Sequence, residues 1–195
     1  MFRGVAVVGV SPMQTLIGRR EALRLGGAAA LSGLAMPAWA SALGDSPRRA
    51  VLHNLHTGDR FNAVYFENGR YVPQALAEAM RVLRDWRTGE ERMMEPALFD
   101  ALHAINTRLE SNRPFQIISG YRSPKTNAML HAKSKGVASQ SQHTLGKAVD
   151  VRIEGVQLAH LHKAALDVSA GGVGYYPKSN FVHVDTGRVR RWSGS

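Results

Sequence analysis

The sequence predicts an α+β domain built on a mainly antiparallel sheet with flanking helices. Three observations carry this expectation. Short runs of strand-forming residues recur from Val51 to Asp185. Two stretches space their apolar residues as one-sided helices do and two more read as helices, and the strands and helices do not alternate as a doubly wound parallel sheet requires. At 195 residues the chain has enough material for one well-formed core, so a single domain is expected after an N-terminal leader.

Residues 51–55 and 63–66 read as strands. His56-Thr57-Gly58-Asp59 between them and Glu67-Asn68-Gly69 after the second have turn composition, which makes a small antiparallel meander. Over 73–86, Leu76, Ala79, Met80, Val82 and Leu83 recur at helical spacing, and over 95–109 Leu98, Leu102, Ile105 and Leu109 do the same. Residues 115–118 form a buried strand. Ser123-Pro124, an N-cap followed by proline at the first helical position, opens a short helix to about Ala132. A strand over 148–153, a helix over 158–168 and strands over 173–176 and 181–185 complete the expected order.

The first forty residues read as an address. Gly18-Arg19-Arg20-Glu21 precedes a mildly apolar stretch over 25–36, then Pro37 and the small-residue pattern Ala38-Trp39-Ala40, the layout of a twin-arginine export signal. Its apolar part is too short and too rich in Gly and Ala to make a permanent membrane span. Cleavage after Ala40 leaves residues 41–195 as a soluble periplasmic domain, and Met13 gives a more typical signal length than Met1. The complete absence of cysteine excludes disulfides, thiolate metal sites and a cysteine nucleophile, so any metal must be held by His and carboxylates. The formal charge of +10 falls to 21 − 14 = +7 outside residues 1–40. A basic chain is drawn to polyanions, but no basic run or aromatic–basic motif points to nucleic acid, and an anionic cell wall fits the charge equally well.

Two segments carry the chemistry. In Ser141-Gln142-His143-Thr144-Leu145-Gly146-Lys147-Ala148-Val149-Asp150 a histidine and an aspartate flank a glycine turn, and Phe181-Val182-His183-Val184-Asp185 places a second histidine in mid-strand. Taken singly, each histidine is more often a satisfied core or surface residue than a ligand. Taken together, two imidazoles and one carboxylate make an open, catalytic type of zinc set. Zinc there would acidify a bound water and polarise a peptide carbonyl. Asp185 lies two residues from His183, hence on the same face of its strand, and reads equally as a general base or as a carboxylate that orients a ligand.

Ser119-Gly120-Tyr121-Arg122, the Ser141 to Asp150 motif, Gly171-Gly172-Val173-Gly174-Tyr175-Tyr176 and Phe181 to Asp185 occur in an order that resembles the D-alanyl-D-alanine zinc metallopeptidases, whose fold is the Hedgehog/DD-peptidase one. The nearest likeness, over about 51–192, is to the murein endopeptidases of that family that leave by the twin-arginine machinery. The resemblance implies a zinc peptidase that cuts peptidoglycan stem peptides or their crosslinks. His143, Asp150 and His183 match its metal ligands. Arg122 matches an arginine that stabilises the developing oxyanion or holds a substrate carboxylate, and Tyr121 and Ser141 fall at substrate-binding positions. Many members carry an acid three residues before the last histidine, where this chain has Asn180, which cannot take a proton. A D-alanyl carboxypeptidase and a non-catalytic zinc-containing wall-binding module are the alternatives. His53, His56, His103, His131, His160 and His162 are read as structural or surface residues.

Overall fold

The computed structural model describes residues 38–41, 43–134 and 136–194. Eight strands, β1 (Arg48–Asn54), β2 (Arg60–Glu67), β3 (Arg70–Tyr71), β4 (Phe115–Ser119), β5 (Ala148–Ile153), β6 (Gly172–Tyr176), β7 (Phe181–Asp185) and β8 (Arg190–Ser193), form one sheet in the order β3-β2-β1-β4-β5-β7-β6-β8. The helices are a single turn α1 (Ala38–Ser41), then α2 (Pro73–Val82), α3 (Pro96–Arg108), α4 (Pro124–Lys133) and α5 (Leu158–Val168). Among the described residues no helix is long and apolar enough to cross a membrane. The export signal expected over residues 1–40 lies outside the described residues apart from its last three.

The α+β class is borne out, but the expectation of a mainly antiparallel sheet is corrected: the sheet is mixed. β4 pairs parallel to β1, and β8 parallel to β6. Both follow from what lies between the partners. The chain from β1 to β4 runs through α2 and α3, the long crossover that parallel neighbours need, and β8 joins β6 only after the chain has passed through β7. The β1–β2 and β2–β3 pairs are antiparallel, as the turn compositions require.

Alternation along the strands divides the sheet into two unlike faces. Leu52, Phe61, Tyr65, Phe115, Ile117, Val149, Val151, Ile153, Val173, Val182 and Val184 point to the side covered by α2, α3 and α5, where they pack with Leu76, Leu98, Phe99, Leu102, Ile105 and Leu161. Each large apolar side chain buried there contributes roughly 1.5–3 kcal/mol. Asp150, His183 and Asp185 occupy the intervening positions, so β5 and β7 offer them on the opposite face.

Local chemistry sets the element ends. Ser123 caps α4 by accepting from the Thr126 N–H at 3.2 Å, with Pro124 at the first helical position, as the sequence predicts. The helix expected over 73–86 stops at Val82 instead. Asn54 Nδ2 donates to the Val82 carbonyl at 2.7 Å, and the Tyr121 N–H donates to the Leu83 carbonyl at 2.7 Å, so tertiary partners replace the last turn. At the other end of the domain Asp100, fully buried, accepts from Arg48 at 2.8 Å, Tyr65 at 2.9 Å and Tyr71 at 2.6 Å. Arg48 also donates to the Ala40 and Gly44 carbonyls, which ties residues 40–44 to α3.

Candidate metal centre

Three elements bring the ligand candidates together. His143 lies in a 3-10 turn (Gln142–Leu145) whose N-cap, Ser141, accepts from the His143 N–H at 3.3 Å, and whose end is closed by Gly146 at φ +71°. A side chain at Gly146 would meet both the left-handed backbone and the Met93 carbonyl, so glycine is required there. β5 supplies Asp150 and β7 supplies His183, cross-strand partners in the antiparallel ladder.

The ligating atoms converge. His143 Nε2 lies 3.2 Å from His183 Nδ1 and 3.2 Å from Asp150 Oδ1, and His183 Nδ1 lies 2.9 Å from the same oxygen. Ligand atoms at the usual zinc distances of about 2.0–2.1 Å in a tetrahedron sit about 3.3 Å apart. This triangle is only slightly tighter than that. All three residues are buried, with 2%, 6% and 8% of their surface exposed for His143, Asp150 and His183, so the donors face one another rather than solvent.

The far side of each imidazole is held. His143 Nδ1 is 2.7 Å from the Gly120 carbonyl, which assigns the proton to Nδ1 and leaves the Nε2 lone pair facing the centre. Gly120 is itself fixed, because a Cβ there would overlap the Leu83 carbonyl. His183 Nε2 is 3.0 Å from Asp185 Oδ2, which leaves Nδ1 as the inward nitrogen. Asp185 is fully buried and its two oxygens are crowded with donors: the Gly172 N–H at 2.9 Å, the Gly187 N–H at 2.8 Å, and Arg190 Nη1 and Nη2 at 3.1 and 2.7 Å.

The electrostatics fit a bound cation. Burial alone would raise Asp150, yet His143 and His183 hold its pKa well below the usual carboxylate range. Burial works the same way on Asp185, where His183, Arg190 and the Gly172 N–H outweigh it. Burial lowers His143. It would lower His183 as well, but the bonds to Asp150 and Asp185 raise that ring above its ordinary value. A metal at the middle of such a cluster would take the place of a proton on its ligands.

Arg122, 9% exposed, donates through Nη2 to Asp150 Oδ2 at 3.1 Å and through Nε and Nη2 to Ser119 Oγ at 3.4 and 3.3 Å. It thus grips the second oxygen of the ligand carboxylate. Tyr121 and Ser141 are buried beside the centre, the first with its N–H on the Leu83 carbonyl and the second as the cap of the His143 turn. Asn180 takes the tight β6–β7 turn at φ +54°, a left-handed conformation that asparagine tolerates better than most residues. His131 is not in the cluster. His56 stacks on Trp86 and His162 on Tyr175, in keeping with structural roles.

Three supporting features escape sequence reasoning. The Gly120 carbonyl and Arg190 reach the centre through tertiary pairing alone. Trp192 lies 5.2 Å from the His183 ring, and its indole N–H donates to the Tyr176 hydroxyl at 2.8 Å. A Cβ on Gly174 would collide with that indole, so the Gly-x-Gly spacing of Gly172 and Gly174 was the available signal for an aromatic wall.

Residues 42–192 match the family model described as peptidoglycan L,D-endopeptidase MepK. The chain is 46% identical over 175 residues to the peptidoglycan L,D-endopeptidase MepK of Escherichia coli K12, covering 89% of this chain and 96% of that protein. It is 41% identical over 178 residues to the probable peptidoglycan L,D-endopeptidase MepK of Haemophilus influenzae, covering 90% and 96%.

Proposed function

This chain belongs to the peptidoglycan L,D-endopeptidase MepK family, and from that premise we propose that it hydrolyses cell-wall peptide bonds as an exported zinc enzyme with His143, Asp150 and His183 as the metal ligands. Peptidoglycan endopeptidase is its activity. The observation that carries the zinc reading is the convergence of His143 Nε2, His183 Nδ1 and Asp150 Oδ1 within 3.2 Å of one another, each imidazole locked from behind. Three protein ligands leave a position for water and substrate, and bound zinc supplies an acidified water and a polarised carbonyl.

The chain's own residues divide the remaining work. Arg122 steadies Asp150 and offers Nη1, which has no acceptor among the described residues, to the negative charge that develops on the scissile carbonyl. Tyr121 through its backbone N–H and Ser141 through its hydroxyl hold Gly120 and the His143 turn in place. Asp185 is a positioning residue, since its oxygens are occupied by His183, Arg190 and two backbone N–H groups. The signal layout over residues 18–40 supports delivery to the periplasm by the twin-arginine route, with cleavage near Ala40. Arg19 and Arg20 replaced together by Lys should then keep the protein in the cytoplasm.

The test is digestion of purified sacculi with mass analysis of the released muropeptides. Crosslinked dimers should be cut, a chelator should stop the reaction, and added zinc should restore it. Release of terminal D-alanine alone would indicate a carboxypeptidase, and binding to sacculi with no hydrolysis a non-catalytic module.

A further inference from the structure

We propose that Arg152 is a specificity-determining residue that binds a carboxylate of the stem peptide in a pocket beside the metal centre; this deepens the peptidase reading above and rests on it. Arg152 follows Asp150 by two residues on β5, so the two side chains leave the sheet on the same face with their Cα atoms about 7 Å apart. Its Nε donates to Gln116 Oε1 on the neighbouring strand at 2.7 Å, which aims the guanidinium. The two Nη groups have no acceptor among the described residues. They line a pocket of about 330 Å³ together with Gln116, Glu154, Val156 and Asn180, and Asn180 stands three residues before His183. The pocket is therefore walled by β4, by the end of β5 beyond Asp150 and by the turn that leads into β7.

Charge and shape select the ligand. Glu154 shares the wall, but its carboxylate accepts from Gln116 Nε2 at 3.3 Å and forms no ion pair with Arg152. An adjoining pocket of about 170 Å³ shares Gln116 and Glu154 and adds Arg60, Arg113 and His53. Three arginines against one glutamate leave 3 − 1 = +2 along the trough. A guanidinium held at Nε with both Nη groups open presents parallel donors, the complement of a carboxylate, and peptidoglycan stem peptides carry free carboxylates. A stem peptide lying across β5 at the metal centre would place one there.

The experiment uses the metal-loaded protein with crosslinked muropeptide dimers whose carboxylates are either free or converted to carboxamides. Arg152→Gln should raise KM for the free-carboxylate dimer by about tenfold to a hundredfold, the range for a lost charged hydrogen bond, with kcat changed by less than about threefold. Amidation should do the same to the wild type, and Arg152→Gln should no longer distinguish the two substrates, since both changes remove one interaction. Arg152→Lys should recover part of the loss. Wild type that is indifferent to amidation, or a variant that loses equally on both substrates, would overturn the proposal. Calorimetric titration of the cleaved products, free and amidated, gives a second readout that needs no turnover. If wild type cuts neither dimer, the peptidase reading fails, while the product titration still decides the role of Arg152.

Discussion

Replacing Asp185 with Asn separates the two things a carboxylate beside His183 can do. The carboxylate accepts five contacts, three at Oδ1 (Gly172 N–H, Gly187 N–H, Arg190 Nη1) and two at Oδ2 (His183 Nε2, Arg190 Nη2). An asparagine satisfies most of them by keeping its oxygen at the Oδ1 position, which turns its NH2 toward His183 Nε2. The NH2 then opposes Arg190 Nη2, which must shift aside, and it opposes His183 Nε2 unless the imidazole changes tautomer, accepting from the NH2 at Nε2 and carrying its own proton on Nδ1. That is the nitrogen 2.9 Å from Asp150 and directed at the middle of the His143, Asp150 and His183 cluster. The variant should therefore fold and lose metal affinity. The loss is worth one charge-assisted hydrogen bond, about 1.5–3 kcal/mol, or on the order of tenfold to a hundredfold in Kd. Competition against a chromophoric chelator measures the affinity, and sacculus digestion across a zinc titration measures activity. Activity should return as zinc is raised. Zinc affinity equal to wild type with a rate loss of a hundredfold or more would refute this reasoning and make Asp185 the general base.

Other expected outcomes follow from the same geometry. Gly120→Ala pushes a Cβ into the Leu83 carbonyl and displaces the oxygen that holds His143 Nδ1, so stability should fall by about 1–3 kcal/mol and zinc affinity with it; a variant with wild-type values of both would contradict the backing role. Asp100→Ala strands a buried Arg48 and should cost about 3–5 kcal/mol in urea denaturation, whereas a loss below about 1 kcal/mol would mean that the cluster is not a structural anchor. Asp85 tests acid sensitivity. Burial would raise its pKa, but bonds from Thr126, Ser123 and Arg87 outweigh this and hold it below the ordinary value. Its stabilising contribution is thus complete above the unfolded-state value of about 3.9 and is lost as pH falls through the lower folded value. The stability advantage of wild type over Asp85→Asn should shrink as urea midpoints are followed from pH 6 to pH 2, and an advantage constant over that range would reject the linkage.

The parts of the site that depend on local pattern were legible before folding. His143 in a loop before a glycine turn, Asp150 inside a strand and His183 in mid-strand follow from spacing, and so does Asp185 on the face of His183, whereas the register that sets Asp150 against His183 does not. The capped start of α4 at Ser123-Pro124 was equally plain. What escaped depends on partners distant in sequence. The parallel β1–β4 pair is set by how α2 and α3 lie on the sheet, and β8, Arg190 to Ser193, has no apolar alternation to announce a strand. The ambiguity over Asp185 is of the same kind. Its parity can be read from two residues, but the donors that fill its oxygens come from β6, the turn after β7, and β8. The four-residue overreach at the end of α2 (86 − 82 = 4) arose because Asn54 and Tyr121 take carbonyls that a helix would have used.

The most direct test of the account is the zinc content of the purified protein and its single-ligand variants, measured by elemental analysis after equilibration at limiting free zinc. Wild type and His131→Ala should bind one zinc per chain, while His143→Ala, Asp150→Ala and His183→Ala should each be nearly empty and inactive on sacculi. Full zinc occupancy in His183→Ala, or hydrolysis by a wild-type protein shown to hold no metal, would contradict it.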